Sequence, residues 1–93
     1  MNIWIETPDD TLVNLSRFDV IRVNGYRDNY WIEAAILRSD GDDEKEIKER
    51  LSSRFSSDEV AVSKMSLLMV AMREAALLGM GMVNIDWEAG DEE

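Results

Sequence analysis

Carboxylates are the most abundant side chains here that could perform acid–base or metal chemistry. The 93 residues include 20 Asp and Glu but no cysteine and no histidine. Thiolate nucleophiles, cysteine-based zinc sites and the usual general base are therefore excluded. A carboxylate becomes a useful acid or base when its surroundings shift its pKa. Glu33, flanked by apolar strand residues, is the one candidate. We expect it to face solvent, and we predict no enzyme, no catalytic residue and no cofactor.

The acidic segment 40–44 has the spacing of the first ligands of a calcium-binding loop. Such a loop also requires glycine at its sixth position and glutamate at its twelfth. Lys45 and Leu51 occupy those positions. The sequence therefore predicts an acidic, solvated loop and no metal site.

The net charge of −10 is unevenly distributed along the chain. Residues 40–59 hold eight acids against four bases, residues 85–93 hold five acids and no base, and residues 60–84 hold one acid against two bases. This surface repels phosphate backbones, so we predict no direct binding of nucleic acid. The acids either keep a small domain dispersed or face a protein partner with a basic surface. The candidate partner-binding acids are Asp40, Asp42, Asp43, Glu44, Asp86 and Glu88.

Hydrophobic periodicity predicts an α+β fold in which an antiparallel sheet of four to six strands packs on one long helix. Residues 3–6 and 11–15 form a hairpin, residues 18–24 a further strand, and residues 30–38 a central strand with two partly apolar faces. Residues 46–55 remain ambiguous. Their apolar residues recur every four positions, which fits a helix, and share parity, which fits a strand: Ile47, Leu51 and Phe55.

The long helix is predicted to span about residues 57–78. Ser56 as N-cap and Glu59 three residues later form a capping box, and Gly79 is a suitable terminator. A short strand at 82–87 completes a single domain of residues 1–88, and residues 89–93 form a disordered acidic tail. Charged residues at the centre of the apolar stretch 65–83 argue against a membrane span. We expect a cytoplasmic protein.

Four strand segments resemble those of a family of short bacterial and phage proteins: Ile3-Trp4-Ile5-Glu6-Thr7, Thr11-Leu12-Val13-Asn14-Leu15, Ile21-Arg22-Val23 and Tyr30-Trp31-Ile32-Glu33-Ala34. The resemblance covers residues 3–78. It implies a pleckstrin-homology-like half-barrel closed by a helix that opens with a serine-rich capping box. It also implies that residues 46–55 form a strand, whereas a strand at 82–87 does not belong to the family pattern.

The predicted helix is apolar on two faces. Its core face consists of Ala61, Met65, Leu68, Met69, Met72, Ala75 and Ala76. The opposite face carries Leu67, Val70 and Leu77, flanked by Arg73 and Glu74. Either the terminal strand or tail covers this second face, or another chain does. We predict a homodimer through these five residues.

Composition and patterning together predict a non-enzymatic protein-binding module. In its small size, its acidity and its lack of histidine and cysteine, this chain resembles phage anti-CRISPR and anti-defence proteins. That resemblance implies an inhibitor of a host defence nuclease complex that acts by occupying a surface in the host cytoplasm. The alternative is a homodimeric interaction or assembly subunit with no inhibitory role.

Overall fold

Six strands and one long helix make up the computed structural model, which describes residues 2–40 and 43–87. β3 and β4 are rich in the β-branched and aromatic residues that favour strands, whereas β5 is almost entirely charged. The α+β class predicted from the sequence is confirmed. The elements in chain order are β1 (Trp4–Glu6), β2 (Leu12–Asn14), a short 3₁₀ helix (Leu15–Arg17), β3 (Val20–Tyr26), β4 (Asn29–Asp40), β5 (Asp43–Arg50), α1 (Asp58–Leu78) and β6 (Met82–Val83).

The first sheet has the strand order β2-β1-β6. β1 pairs with β2 as the predicted antiparallel hairpin and with β6 in parallel. The predicted strand at 82–87 is too long, because pairing with β1 ends at Val83. Beyond it the chain places Trp87 in the core, where the residue is 4% exposed.

The second sheet has the order β3-β4-β5, with β4 in the centre as its two partly apolar faces predicted. Residues 46–50 continue β5, so the strand interpretation of that part of the ambiguous segment is confirmed. The expected loop at 40–44 is wrong, because Asp40 and Asp43 pair as the last residues of a β4–β5 hairpin. The predicted single antiparallel sheet of four to six strands is not observed either, because the described strands form two sheets of three. The 3₁₀ helix after β2 redirects the chain, and β3 begins a separate sheet.

The core lies between α1 and the strands, and its largest fully buried apolar side chains are Ile5, Ile32, Leu51, Phe55 and Leu68. The core face of α1 is rotated from the predicted one. Ala61, Leu68 and Ala75 are buried, but Met69 and Ala76 are exposed. Lys64 is buried instead, and its ammonium donates a 3.1 Å hydrogen bond to the carbonyl oxygen of Asp86. That bond explains how a charged side chain occupies the core side of the helix.

The N-terminus of α1 is capped by Ser57, one residue later than predicted. The Ser57 hydroxyl accepts hydrogen bonds from the backbone N–H groups of Glu59 (3.1 Å) and Val60 (3.5 Å). At the other end, Gly79 adopts φ = 72°, a left-handed conformation that glycine reaches without strain, so the predicted terminator is confirmed.

We expect Ser57→Ala to lower the free energy of unfolding by about 1 kcal/mol, because two helix N–H groups lose their acceptor. Ser56→Ala is the matched control and should change it by less than about 0.5 kcal/mol. Urea denaturation followed by circular dichroism measures both. Equal effects of the two substitutions would contradict the assignment of the cap to Ser57.

Candidate functional site

The face of α1 that points away from the core carries an exposed apolar surface, which we call the α1 apolar patch: Val62, Leu67, Val70 and Leu77. Their exposed fractions are 52%, 54%, 51% and 80%. At 100° per residue, Val70 and Leu77 lie opposite Ala61, Leu68 and Ala75, and Val62 and Leu67 lie on either side of them. Isolated exposed apolar residues are ordinary, but several on one helix face indicate a contact surface.

Every residue predicted for the dimer interface lies at the surface of α1. Arg73 and Glu74 are exposed, as are Leu67, Val70 and Leu77. Val62 extends the same surface towards the N-terminus and was not among the predicted residues. β6 pairs with β1 and does not cover the patch. The predicted tail, residues 89–93, lies outside the described residues.

The structure places the predicted partner-binding acids in two regions. Asp40 and Asp43 are paired across the end of the β4–β5 hairpin, and Glu44 follows in β5 opposite Ser39. Asp86 is exposed and lines a depression of about 330 Å³. Asp42 and Glu88 lie outside the described residues.

The depression beside Asp86 gathers acids that are distant in the sequence. Glu6 and Asp10, from the end of β1 and the turn after it, line it together with Asp86. Trp87 forms part of its apolar wall. Sequence reasoning missed Glu6 and Asp10 because only the pairing of β1 with β6 brings the two ends of the domain together.

A buried carboxylate lies on the face of the second sheet opposite α1. Glu33 is 3% exposed, and both of its oxygens accept hydrogen bonds. Oε2 accepts from Arg22 Nε at 2.8 Å and from Asn24 Nδ2 at 3.2 Å, and Oε1 accepts from Trp31 Nε1 at 3.0 Å. Arg22 also pairs with Glu46 at 2.9 Å. The expectation of a solvent-facing Glu33 is therefore wrong.

These contacts determine the protonation state of Glu33. Burial opposes ionisation, but the hydrogen bonds from Trp31, Arg22 and Asn24 outweigh it, so the pKa of Glu33 is lowered from its usual 4.5. A general acid at neutral pH requires the opposite shift. The register explains the cluster, since Arg22 lies directly opposite Glu33, and Asn24 directly opposite Trp31. The arrangement joins β3 to β4 and favours a structural role.

A cation–π contact continues the same sheet face towards β5. The Arg50 guanidinium lies 4.9 Å from the centroid of the Trp31 ring. The ring thus donates its N–H to Glu33 while its face contacts a cation, so its orientation is fixed from two sides. The polar side chains on this face of the sheet therefore largely contact one another. Among the surfaces that the structure describes, the α1 apolar patch is a better candidate than this sheet face for contact with another molecule.

No helix among the described residues is long and apolar enough to cross a membrane. Likewise, residues 2–40 and 43–87 contain no group of three or more acidic side chains arranged to hold a metal ion. Comparison of the chain with protein-family models, curated proteins and solved structures finds no match.

Proposed function

We propose that this chain is a non-enzymatic protein-binding module and that the α1 apolar patch binds the same patch of a second copy. The observation that carries the proposal is the exposure of Val62, Leu67, Val70 and Leu77 on one helix face. Full burial of each side chain would contribute up to about 1.5–3 kcal/mol, a large amount for a domain with a stability of about 5 kcal/mol.

The charge distribution supports a second copy as the occupant. Two chains of net charge −10 repel each other over most of their surface. Residues 60–84 hold one acid against two bases, so two copies that meet through this part of α1 repel each other less than they would through the acidic segments 40–59 and 85–93. In a dimer with a two-fold axis through this contact, the patch of one copy packs against the same patch of the other copy. Arg73 of one copy can then pair with Glu74 of the other, which fixes the register while adding little energy.

The state of Glu33 supports the non-enzymatic part of the proposal. It is the most buried carboxylate among the described residues, and it is held ionised by three donors. A carboxylate in that state lacks a proton to give, and three of its four lone pairs already accept hydrogen bonds. Acid–base chemistry has no better-placed candidate in the described part of the chain.

We expect the wild-type chain to sediment as a dimer at micromolar concentration, and Val70→Glu to sediment as a monomer. The substitution places two carboxylates at the centre of the proposed interface, where like charges repel. Leu37→Glu is the matched control, because Leu37 is 49% exposed but lies on β4, on the sheet face opposite α1. The control should leave the dimer intact.

Two results would contradict the dimer proposal. One is a single 10.6 kDa species for the wild type. The other is equal dissociation of the dimer by Val70→Glu and Leu37→Glu, because that would show a general effect of added charge. Circular dichroism of both variants checks that they are folded.

The inhibitor of a host defence nuclease complex is a second candidate function. It is supported by the acidic depression at Glu6, Asp10 and Asp86, which is suited to basic side chains of a target. The two candidate functions, inhibitor and assembly subunit, differ in their expected effect on DNA cleavage. An inhibitor reduces DNA cleavage by a purified nuclease complex at stoichiometric amounts, and an assembly subunit leaves cleavage unchanged.

A further inference from the structure

One edge of β3 is unpaired among the described residues, since β3 contacts only β4 in its sheet. The direction of its backbone groups follows from the neighbouring strand. The N–H of Ile32 donates to Ser52 and its carbonyl accepts from Leu51, so both groups point towards β5. Val23 is paired with Ile32, and the corresponding groups of Val23 point the opposite way, out of the sheet. By the same alternation, those of Ile21 also point outward.

In the part of the chain that the structure describes, the other strand edges are protected, whereas that of β3 is not. β5 forms the opposite edge of the same sheet and is charged at every position except Ile47. The edges of the first sheet are short, with three residues in β2 and two in β6. Charges and shortness are the usual means of preventing strand addition. β3 has seven residues, of which only Arg22 is charged, and that charge is paired with Glu33 and Glu46.

An apolar groove of about 410 Å³ lies between β3 and α1. We call it the β3 groove, and its apolar lining comes mainly from Phe18, Ile21, Met65, Met69 and Met72. Methionine side chains adapt to ligands of varied shape. Ile21 thus contributes its side chain to the groove and its outward backbone groups to the strand edge beside it.

We propose that the β3 edge and the β3 groove together bind an extended segment of another protein, which joins the sheet as an added strand. The outward N–H and C=O groups of Ile21 and Val23 require an extended backbone, and the groove requires large apolar side chains at alternate positions. Asp19 and Arg73, which also line the groove, balance each other. Because these two local charges cancel, the overall net charge of −10 determines the electrostatic preference, and it favours a segment with basic ends. None of the four residues of the α1 apolar patch lines the groove, although Arg73, which flanks that patch, does. The inference does not depend on the dimer, because an added strand pairs with β3 and not with α1.

The test uses the peptide Lys-Thr-Ile-Thr-Leu-Thr-Val-Thr-Lys and two derivatives, one N-methylated at its three apolar residues and one at three of its threonines. An added strand uses the N–H groups of only one parity to pair with β3. We expect one derivative to lose binding by at least about tenfold while the other binds like the parent peptide. Amide chemical shifts of the ¹⁵N-labelled chain give the affinities, and the largest shifts should occur at Ile21 and Val23.

Variants of the chain complete the test. Met69→Glu places a charge in the groove at a residue that is 53% exposed, and it should weaken peptide binding by about tenfold or more. The control Leu12→Glu, at a 55% exposed residue of β2, should not. Val70→Glu should bind the peptide like the wild type, so failure of the dimer proposal can be distinguished from failure of this inference.

The inference would be overturned if both methylated peptides bind equally well, if both lose binding equally, or if the chemical-shift changes are confined to other residues. Dissociation of the wild-type dimer by Val23→Pro would also overturn it, because that result would make the β3 edge a contact between copies.

Discussion

Phe55→Ala is expected to lower the free energy of unfolding by about 3–5 kcal/mol, as is typical of a large aromatic side chain removed from a core. Phe55 is 1% exposed. Its backbone exchanges two hydrogen bonds with Tyr30, of 2.7 and 2.9 Å, which attach the segment after β5 to the central strand. The ring therefore fills the core at the point where the chain leaves the sheet for α1. Urea denaturation followed by tryptophan fluorescence measures the change.

Ile47→Ala is the control for this substitution. Ile47 shares parity with Leu51 and Phe55 but is 47% exposed, so its loss should change the stability by no more than about 1 kcal/mol. Similar losses for Ile47→Ala and Phe55→Ala would show that Phe55 does not occupy the core. A variant that is unfolded without denaturant agrees with the prediction, provided that Ile47→Ala remains folded.

Glu33→Ala is expected to lower the free energy of unfolding by about 3 kcal/mol, because it leaves donors of Arg22, Asn24 and Trp31 without their shared acceptor. Glu33→Gln should have a smaller effect, since one amide oxygen still accepts, although the amide N–H₂ faces a donor. Glu49→Ala is the control on the adjacent strand, because Glu49 is exposed. It should stay within about 0.5 kcal/mol of the wild type. A loss of that small size for Glu33→Ala would contradict a stabilising role of the cluster.

The pH dependence of stability gives a second measurement on Glu33. Its pKa is lowered in the folded chain, so the folded state is stabilised by the ionised form above the usual value of 4.5. That stabilisation is lost as the pH falls below 4.5 and through the lowered pKa. Hydrogen bonds also lower the pKa values of Asp9, from Thr7, and Glu46, from Arg22. Glu33→Gln should therefore reduce the steepness of acid destabilisation without abolishing it.

Features determined by neighbouring residues were predictable from the sequence. The β1–β2 hairpin follows from alternating residues on either side of a turn, and the end of α1 from Gly79. The exposure of Leu67, Val70 and Leu77 follows from helical periodicity. The N-cap was misplaced by one residue because Ser56 and Ser57 are chemically identical candidates. Only the geometry of the first turn distinguishes them.

Features determined by distant pairing were not predictable. The third strand of the first sheet depends on β6 joining β1, and nothing in Met82 or Val83 specifies that partner. The burial of Glu33 depends on a register that places Arg22 beside it and Asn24 beside Trp31. One step of slippage would turn these side chains to opposite faces. Helical periodicity likewise predicts that the α1 apolar patch is exposed but does not specify which molecule contacts it.

The parallel pairing of β1 with β6 has a consequence for the rate of folding. Trp4 lies next to Met82, so the first sheet is completed only when residues near the two ends of the domain meet. Such contacts have a high contact order, and the entropy of closing the intervening loop is lost before they form. The β3–β4–β5 hairpins and α1 are local by comparison and can form first. The acidic depression beside Asp86 is then among the last parts of the molecule to form, and until β6 joins it, β1 has only β2 as a neighbouring strand.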